Sequence, residues 1–199
     1  MERAATGDET VVVGGPDNDI AEEWSKDSRY MVLFHRPVSE SQVTWQALPL
    51  FGDRKPFSID VTPRVSNDEP EFSFDGRWLA YNSEESGTTQ VHVMSFPAAD
   101  QKRQLSIDGG AQPQWRRDGR ELYYVDLDGN LMAVDIAADS RIDSGRPRAL
   151  FRTGLSVQTF ARQYAATSDG QRFLVLLPVA EATPTPITVV VNWMAAIGR

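Results

Sequence analysis

The chain has 199 residues, of which 41% are hydrophobic and 24% are charged, a composition typical of a folded domain with a substantial core. Its 20 basic and 28 acidic side chains give a formal net charge of −8, which disfavours nucleic acid and gives no general attraction to anionic membranes. Cysteine is absent and only His35 and His92 are present, so disulfides and thiolate metal sites are excluded. We expect no metal and no cofactor.

The apolar runs are short. The longest, residues 173–177 and 187–191, fall far below the roughly 20 residues that span a bilayer. Residues 1–9 lack the apolar centre of a signal peptide and are predicted to be a flexible N-terminus. The chain itself is therefore expected to carry no targeting signal and no membrane span.

One short pattern occurs four times: an apolar or small residue, two spacers, an aspartate, a turn residue and then a run of apolar residues. Its aspartates are 43 to 51 residues apart, a spacing typical of repeat folds. Apolar runs of this length, bounded by turn signals, indicate buried strands. In chain order the strands are predicted at 10–13, 30–34, 42–48, 56–59, 69–72, 78–81, 90–96, 102–106, 112–115, 122–125, 131–135, 148–151, 173–177 and 187–193.

Four antiparallel strands in each repeat of about 45 residues are typical of a blade of a β-propeller. The sequence thus predicts an all-β fold of four-stranded antiparallel blades, about four of them, over residues 10–195, with a tail at 196–199. The four blades could close as a small ring, or they could form an arc of a larger one. The strand at 10–13 has no obvious partner, and pairing with 187–193 would close the ring.

Each repeat is expected to turn at its aspartate. An Asp-Gly pair accepts the positive φ of a tight hairpin, and the Asp side chain can accept a hydrogen bond from the backbone two residues on. In the first copy Ser28 replaces the glycine, which predicts a different or strained turn. The structural turn residues are Asp27, Asp75, Gly76, Asp118, Gly119, Asp169 and Gly170.

The segment 72–81, Phe-Ser-Phe-Asp-Gly-Arg-Trp-Leu-Ala-Tyr, resembles the TolB-like propeller repeat. Segments 49–56, 110–119, 128–134, 168–175 and 186–193 extend the resemblance to the C-terminal propeller of bacterial receptor-like serine/threonine kinases. The resemblance implies a six-bladed propeller of which this chain holds a C-terminal part, and a periplasmic or other extracytoplasmic location. The turn proline of the family is replaced here by Lys26, Phe74, Arg117 and Ser168.

The sequence contains no assembled catalytic motif. A Gly-x-Ser-x-Gly elbow is absent, and no residues of the kinase signature accompany the His35-Arg36-Pro37 string. His92 alternates with valines on a strand, which favours a packed or surface role. The Asp126–Asn130 string lacks the twelfth-position carboxylate of a calcium loop, so it is interpreted as a hairpin turn. These observations predict a protein that is not an enzyme.

A binding surface is the remaining hypothesis. Propeller partners usually dock where the first strands of the blades begin, around the mouth of the channel. The candidate residues there are Glu22, Glu69, Glu71, Gln112, Gln114, Arg162 and Gln163. Phe74 is a second lead, because an apolar ring is unexpected at a turn.

The leading hypothesis is a non-catalytic interaction or sensor module that binds a protein, peptide or envelope ligand as part of a larger receptor-like kinase. The alternative is a propeller that gates substrate for a hydrolase whose catalytic domain lies outside this chain. Open blade edges would also invite pairing with a second copy as a homodimer.

Overall fold

The computed structural model describes residues 2–3, 9–11, 13–39, 43–59, 67–138, 141–157 and 162–177. Within them every regular element is a β-strand. The described part of the chain contains no helix with the length and hydrophobicity needed to cross a membrane.

The strands fall into blades in chain order. A short pair precedes the blades: β1 (Glu2–Arg3) and β2 (Glu9–Thr10). The first blade contains β3 (Asn18–Trp24), β4 (Tyr30–Arg36), β5 (Thr44–Pro49) and β6 (Phe57–Ser58). The second contains β7 (Asn67–Phe72), β8 (Trp78–Ser83), β9 (Gln90–Ser95) and β10 (Lys102–Gln104).

The third blade contains β11 (Ala111–Trp115), β12 (Glu121–Val125), β13 (Asn130–Ala138) and β15 (Arg148–Arg152), with β14 (Ile142–Ser144) added along the far end of β13. The last described pair is β16 (Tyr164–Ala166) with β17 (Phe173–Val175). Neighbouring strands in each sheet are antiparallel. The described chain therefore has three complete blades and two strands of a fourth, which confirms the predicted fold class as a partial propeller.

The core lies between the blades. Trp45 of the first blade packs against Tyr81 of the second, with ring centroids 5.5 Å apart. Trp78 and Trp115 are buried in the next seam, between the second and third blades. Tyr123 and Phe173 meet edge to face at 5.0 Å in the seam between the third and fourth. Since each seam buries residues of two consecutive repeats, each blade depends on its neighbour for its core.

All four predicted turns form, and they share one geometry. In each, the aspartate Oδ1 accepts a hydrogen bond from the backbone N–H two residues on, at 3.0 to 3.1 Å. Ser28 takes φ of 60°, close to the 69° of Gly76, so the first turn keeps the shape and bears the strain of a side chain in the left-handed region.

Replacing Asp75 with alanine is expected to lower the free energy of unfolding by about 0.5 to 2 kcal/mol, because its carboxylate also accepts the Ser73 hydroxyl at 2.7 Å. Urea unfolding followed by tryptophan fluorescence measures the loss. Asp128→Ala is the matched control, since Asp128 is also an exposed turn aspartate but its side chain accepts no hydrogen bond within the described chain. Equal stability of Asp75→Ala and the parent would contradict the structural role.

The structure corrects three details of the predicted elements. Of the described residues in the predicted strand 10–13, only Thr10 is in a strand, and β2 pairs with β1. The predicted strand 173–177 ends at Val175. Strands β1, β3, β14 and β16 were not predicted, because none of them carries a continuous run of four or more apolar residues. The predicted strand 187–193 and the tail 196–199 lie outside the described residues.

Candidate binding site

Each first strand of the three complete blades contains a β-bulge at the same place. The register shifts between Ala21 and Glu23 in β3, between Asp68 and Glu71 in β7, and between Ala111 and Gln114 in β11. A bulge bends a strand and changes the direction of its side chains. The three bulges contain three of the predicted binding residues: Glu22, Glu69 and Gln112.

Two of these residues have a strained backbone. Glu69 and Gln112 adopt φ of 55° and 60°, in the left-handed region, although neither is glycine. This conformation costs about 1 to 2 kcal/mol for a residue with a Cβ, so the surrounding contacts must hold it in place. Strain of this kind concentrates at binding and active sites.

Glu69 is held between two blades. Its Oε2 accepts a hydrogen bond from the backbone N–H of Gln112 at 2.7 Å. With the Asn82 side-chain amide oriented so that its nitrogen faces Glu69, Oε2 also accepts a hydrogen bond from that nitrogen at 2.9 Å. Its Oε1 is buried and accepts no hydrogen bond within the described chain. Burial raises the pKa of Glu69 to about 7, although the hydrogen bond from Gln112 acts to lower it. The proton of the neutral acid therefore belongs on Oε1.

Gln112 and Gln114 connect the third blade to the fourth. The backbone N–H of Gln163 donates to Gln112 Oε1 at 2.9 Å, and Gln112 Nε2 donates to Gln163 Oε1 at 3.2 Å. The Tyr164 hydroxyl donates to the Gln112 carbonyl at 2.8 Å. Gln114 Oε1 accepts the backbone N–H of Ala166 at 2.8 Å. Both glutamines thus act as side-chain links between adjacent blades.

Glu71 brings residues of three blades together. Arg162, just before β16, donates from Nη1 to Glu71 Oε2 at 2.5 Å, and Lys26 Nζ of the first blade lies 3.8 Å from Oε1. The Glu71 side chain is only 4% exposed, and burial raises its pKa while Arg162 opposes the rise. The indole N–H of Trp115 donates to the Glu71 carbonyl at 3.1 Å.

Six of the seven predicted residues make these contacts between blades, as does Lys26. We refer to the set as the inner cluster, and it comprises Lys26, Glu69, Glu71, Gln112, Gln114, Arg162 and Gln163. Glu22 does not join it but is exposed, and its pKa is raised by partial burial and by the nearby charge of Asp68. Sequence reasoning missed Lys26, whose only signal was its place in the turn that follows the first bulged strand.

The two histidines lie in different blades. His92 is buried, with Nε2 3.0 Å from Glu85 Oε1 and Nδ1 3.2 Å from the Gln90 carbonyl, and burial lowers its pKa against the effect of Glu85. His35 Nδ1 lies 2.7 Å from Asp19 Oδ1. Within the described residues no group of three or more histidines and carboxylates could hold a metal ion.

Glu69 gives the stability of the chain a defined pH dependence. Its carboxyl group has a pKa of about 7 in the folded chain against an ordinary 4.5, so the folded state keeps a proton that the unfolded state loses. The contribution of Glu69 to stability is therefore full below pH 4.5 and falls as the pH rises to about 7. Glu69→Gln mimics the neutral acid and is expected to match the parent at pH 4.5 but to exceed it by about 1 to 2 kcal/mol at pH 8, because the group is partly solvated.

Urea unfolding of both proteins from pH 4 to 8 measures this difference. Glu84→Gln, at an exposed position of the second blade, is the matched control and should keep the profile of the parent. A constant difference between Glu69→Gln and the parent across this pH range would show that Glu69 ionises at an ordinary pH in the fold.

No protein-family model matches the chain, and no curated protein matches it. The structure is similar to TolB from Acinetobacter baumannii, with a TM-score of 0.61, 14% identity and coverage of 89% of this chain and 42% of that one. It is also similar to a protein from Bacteroides uniformis named as a 6-phosphogluconolactonase, with a TM-score of 0.52, 15% identity and coverage of 80% and 47%. The chain spans less than half the length of either protein.

These likenesses agree with the geometry of the blades. The chain has a β-propeller fold, present here as a partial propeller. Within that class its fold is TolB-like, as the repeat pattern around Asp75 indicates.

Proposed function

We propose that the chain is a non-catalytic interaction module that binds a protein or peptide partner over the inner cluster. The observation that carries this proposal is the strained backbone of Glu69 and Gln112 at equivalent bulges, because a scaffold alone needs no left-handed glutamate or glutamine. Both side chains then meet residues of a neighbouring blade, so the strain serves the arrangement of one surface.

The charge of this surface defines the partner. Carboxylates outnumber cations around the bulges. The carboxylates are Glu22, Glu23, Asp68 and Glu71, and the cations are Lys26 and Arg162. A partner that offers a lysine or arginine side chain supplies the compensating charge.

A peptide array with a varied central residue tests this function. Peptides centred on lysine or arginine are expected to bind more tightly than those centred on glutamate. Fluorescence anisotropy with the tightest peptide should show at least a fivefold loss of affinity for Glu22→Gln, which removes an exposed carboxylate, and no change for Glu84→Gln. An equal loss of affinity for the basic peptide in Glu22→Gln and in Glu84→Gln would refute the proposed surface.

The structural neighbour named as a 6-phosphogluconolactonase makes enzymatic activity the alternative to test. The purified chain is expected to hydrolyse 6-phosphogluconolactone no faster than buffer does. Turnover that disappears in His35→Ala would overturn the non-catalytic assignment. A catalytic α/β-hydrolase domain in the same reading frame would instead support the substrate-gating role.

The wider context is also proposed, on the sequence resemblance. It supports a bacterial, extracytoplasmic setting as the C-terminal part of a receptor-like kinase, and an upstream kinase and membrane helix in the same reading frame would test it. Pairing of two copies through blade edges is tested by sedimentation over a range of concentrations.

A further inference from the structure

A second concave surface lies at the turn ends of the second and third blades. It is a cleft of about 650 Å³ that shares no residue with the inner cluster. We refer to it as the turn cleft, and its functional lining consists of Phe74, Arg77, Trp78, Trp115, Arg117 and Arg120.

The cleft exists because the turn at Asp75 and the turn at Asp118 are not packed against each other. A Cβ added to Gly76 would lie 3.4 Å from Asp27 Oδ2 of the preceding turn, and one added to Gly170 would lie 3.0 Å from Arg116 Cδ of the preceding blade. The same atom added to Gly119 would meet nothing within 4 Å. The first turn therefore lies close to the second, and the fourth turn lies against the third blade. Among the described turns, the open gap lies between the second and the third.

The arginines of the cleft leave a positive charge there. Asp118 accepts hydrogen bonds from Nε and Nη2 of Arg116, both at 2.8 Å. Asp75 accepts a hydrogen bond from Nε of Arg77 at 2.7 Å. Arg117 and Arg120 are exposed, and their guanidinium groups donate to no side chain in the described part of the chain. The three arginines and two aspartates that line the cleft thus carry a net charge of +1, in a chain whose net charge is −8.

The same cleft has an apolar wall. Phe74 is 40% exposed at a turn position, and the buried Trp78 and Trp115 also line the cleft. The exposed Phe74 ring offers an apolar contact. A planar arginine guanidinium can bind a carboxylate through two parallel hydrogen bonds.

We propose that the turn cleft binds an acidic peptide segment in which a carboxylate side chain is adjacent to an aromatic one. Arg117 and Arg120 receive the carboxylates, and the aromatic side chain packs on Phe74. A polyanion such as nucleic acid fits poorly, because Asp75 and Asp118 also line the cleft and the whole chain repels closely spaced phosphates. Separate carboxylates can avoid those aspartates.

Fluorescence anisotropy with a labelled hexapeptide of alternating glutamate and phenylalanine tests the proposal. The 199-residue chain is expected to bind this peptide and not its glutamine–phenylalanine counterpart, and binding of a lysine–phenylalanine peptide should not change when the arginines of the cleft are replaced. The double variant Arg117→Gln/Arg120→Gln should lose at least tenfold in affinity, and Phe74→Ser at least fivefold. The matched control, Arg146→Gln/Arg152→Gln, changes two exposed arginines outside the cleft and should stay within twofold of the parent.

Thermal unfolding of each variant confirms that the fold is kept, and Arg117→Gln alone replaces the double variant if that protein is unstable. Equal binding of the glutamine–phenylalanine peptide would overturn the proposal, as would unchanged affinity without the two arginines. Displacement of the peptide by millimolar inorganic phosphate would assign the cleft to small anions, and displacement by single-stranded DNA would assign it to polyanions; both results contradict a peptide site. Glu69→Gln should leave this affinity unchanged, which separates the turn cleft from the inner cluster.

Discussion

Replacing Arg162 with methionine is expected to lower the free energy of unfolding by about 3 kcal/mol at pH 8. Methionine keeps much of the apolar stem of arginine and removes the charge that faces Glu71. The Glu71 carboxylate is then left with only Lys26, whose nitrogen is 3.8 Å away. A carboxylate that is 4% exposed and poorly compensated is costly to keep ionised.

The loss should depend on pH in a definite direction. Without Arg162 the pKa of Glu71 rises further, so the folded variant holds a proton that the unfolded chain releases above the ordinary pKa of 4.5. The stability of the variant therefore falls as the pH rises from 4.5 towards the raised pKa. Urea unfolding at pH 5 and pH 8 should show a smaller difference from the parent at pH 5.

Two further variants isolate the charge. Glu71→Gln in the Arg162→Met background removes the buried carboxylate and should recover most of the loss at pH 8. Arg152→Met changes an exposed arginine and should cost less than about 0.5 kcal/mol. An equal loss at both pH values would mean that Arg162 stabilises the chain by packing and not by compensating Glu71.

Gly129→Ala is expected to lower the free energy of unfolding by about 2 to 4 kcal/mol. Gly129 has φ of +79°, and a Cβ built on it would lie 2.7 Å from the backbone oxygen of Leu155. A backbone oxygen cannot rotate away as a side chain can, so the loop that carries Leu155 would have to move.

Gly119→Ala provides the comparison, because φ there is +71° and nothing lies within 4 Å of the added atom. This variant should cost only the backbone strain, about 1 to 2 kcal/mol. Urea unfolding of both variants gives the contribution of the close contact as the difference between them. Equal losses would show that the Leu155 loop yields freely.

The candidate site could be predicted in part because bulged first strands occupy equivalent places in the repeats. Aligning the copies on their aspartates places Glu69 and Gln112 at matching positions, and both meet the next blade in the structure. Lys26 could not be predicted, because its contact with Glu71 depends on how two blades pack. The strain at Glu69 was equally hidden, since a residue before proline is expected to be extended.

The sequence by itself determined the strands with continuous apolar runs, the four turns and hence the class of fold, because turn chemistry at the aspartates and short apolar runs act over a few neighbouring residues. Only the tertiary structure decided which polar residues meet: Glu71 and Arg162 are 91 residues apart and belong to different blades. It also decided that the turns at Asp75 and Asp118 stand apart, whereas the turn at Asp27 lies beside that at Asp75 and the turn at Asp169 lies against the third blade. Contacts between repeats depend on the packing of whole blades, and the sequence of a single repeat does not specify that packing.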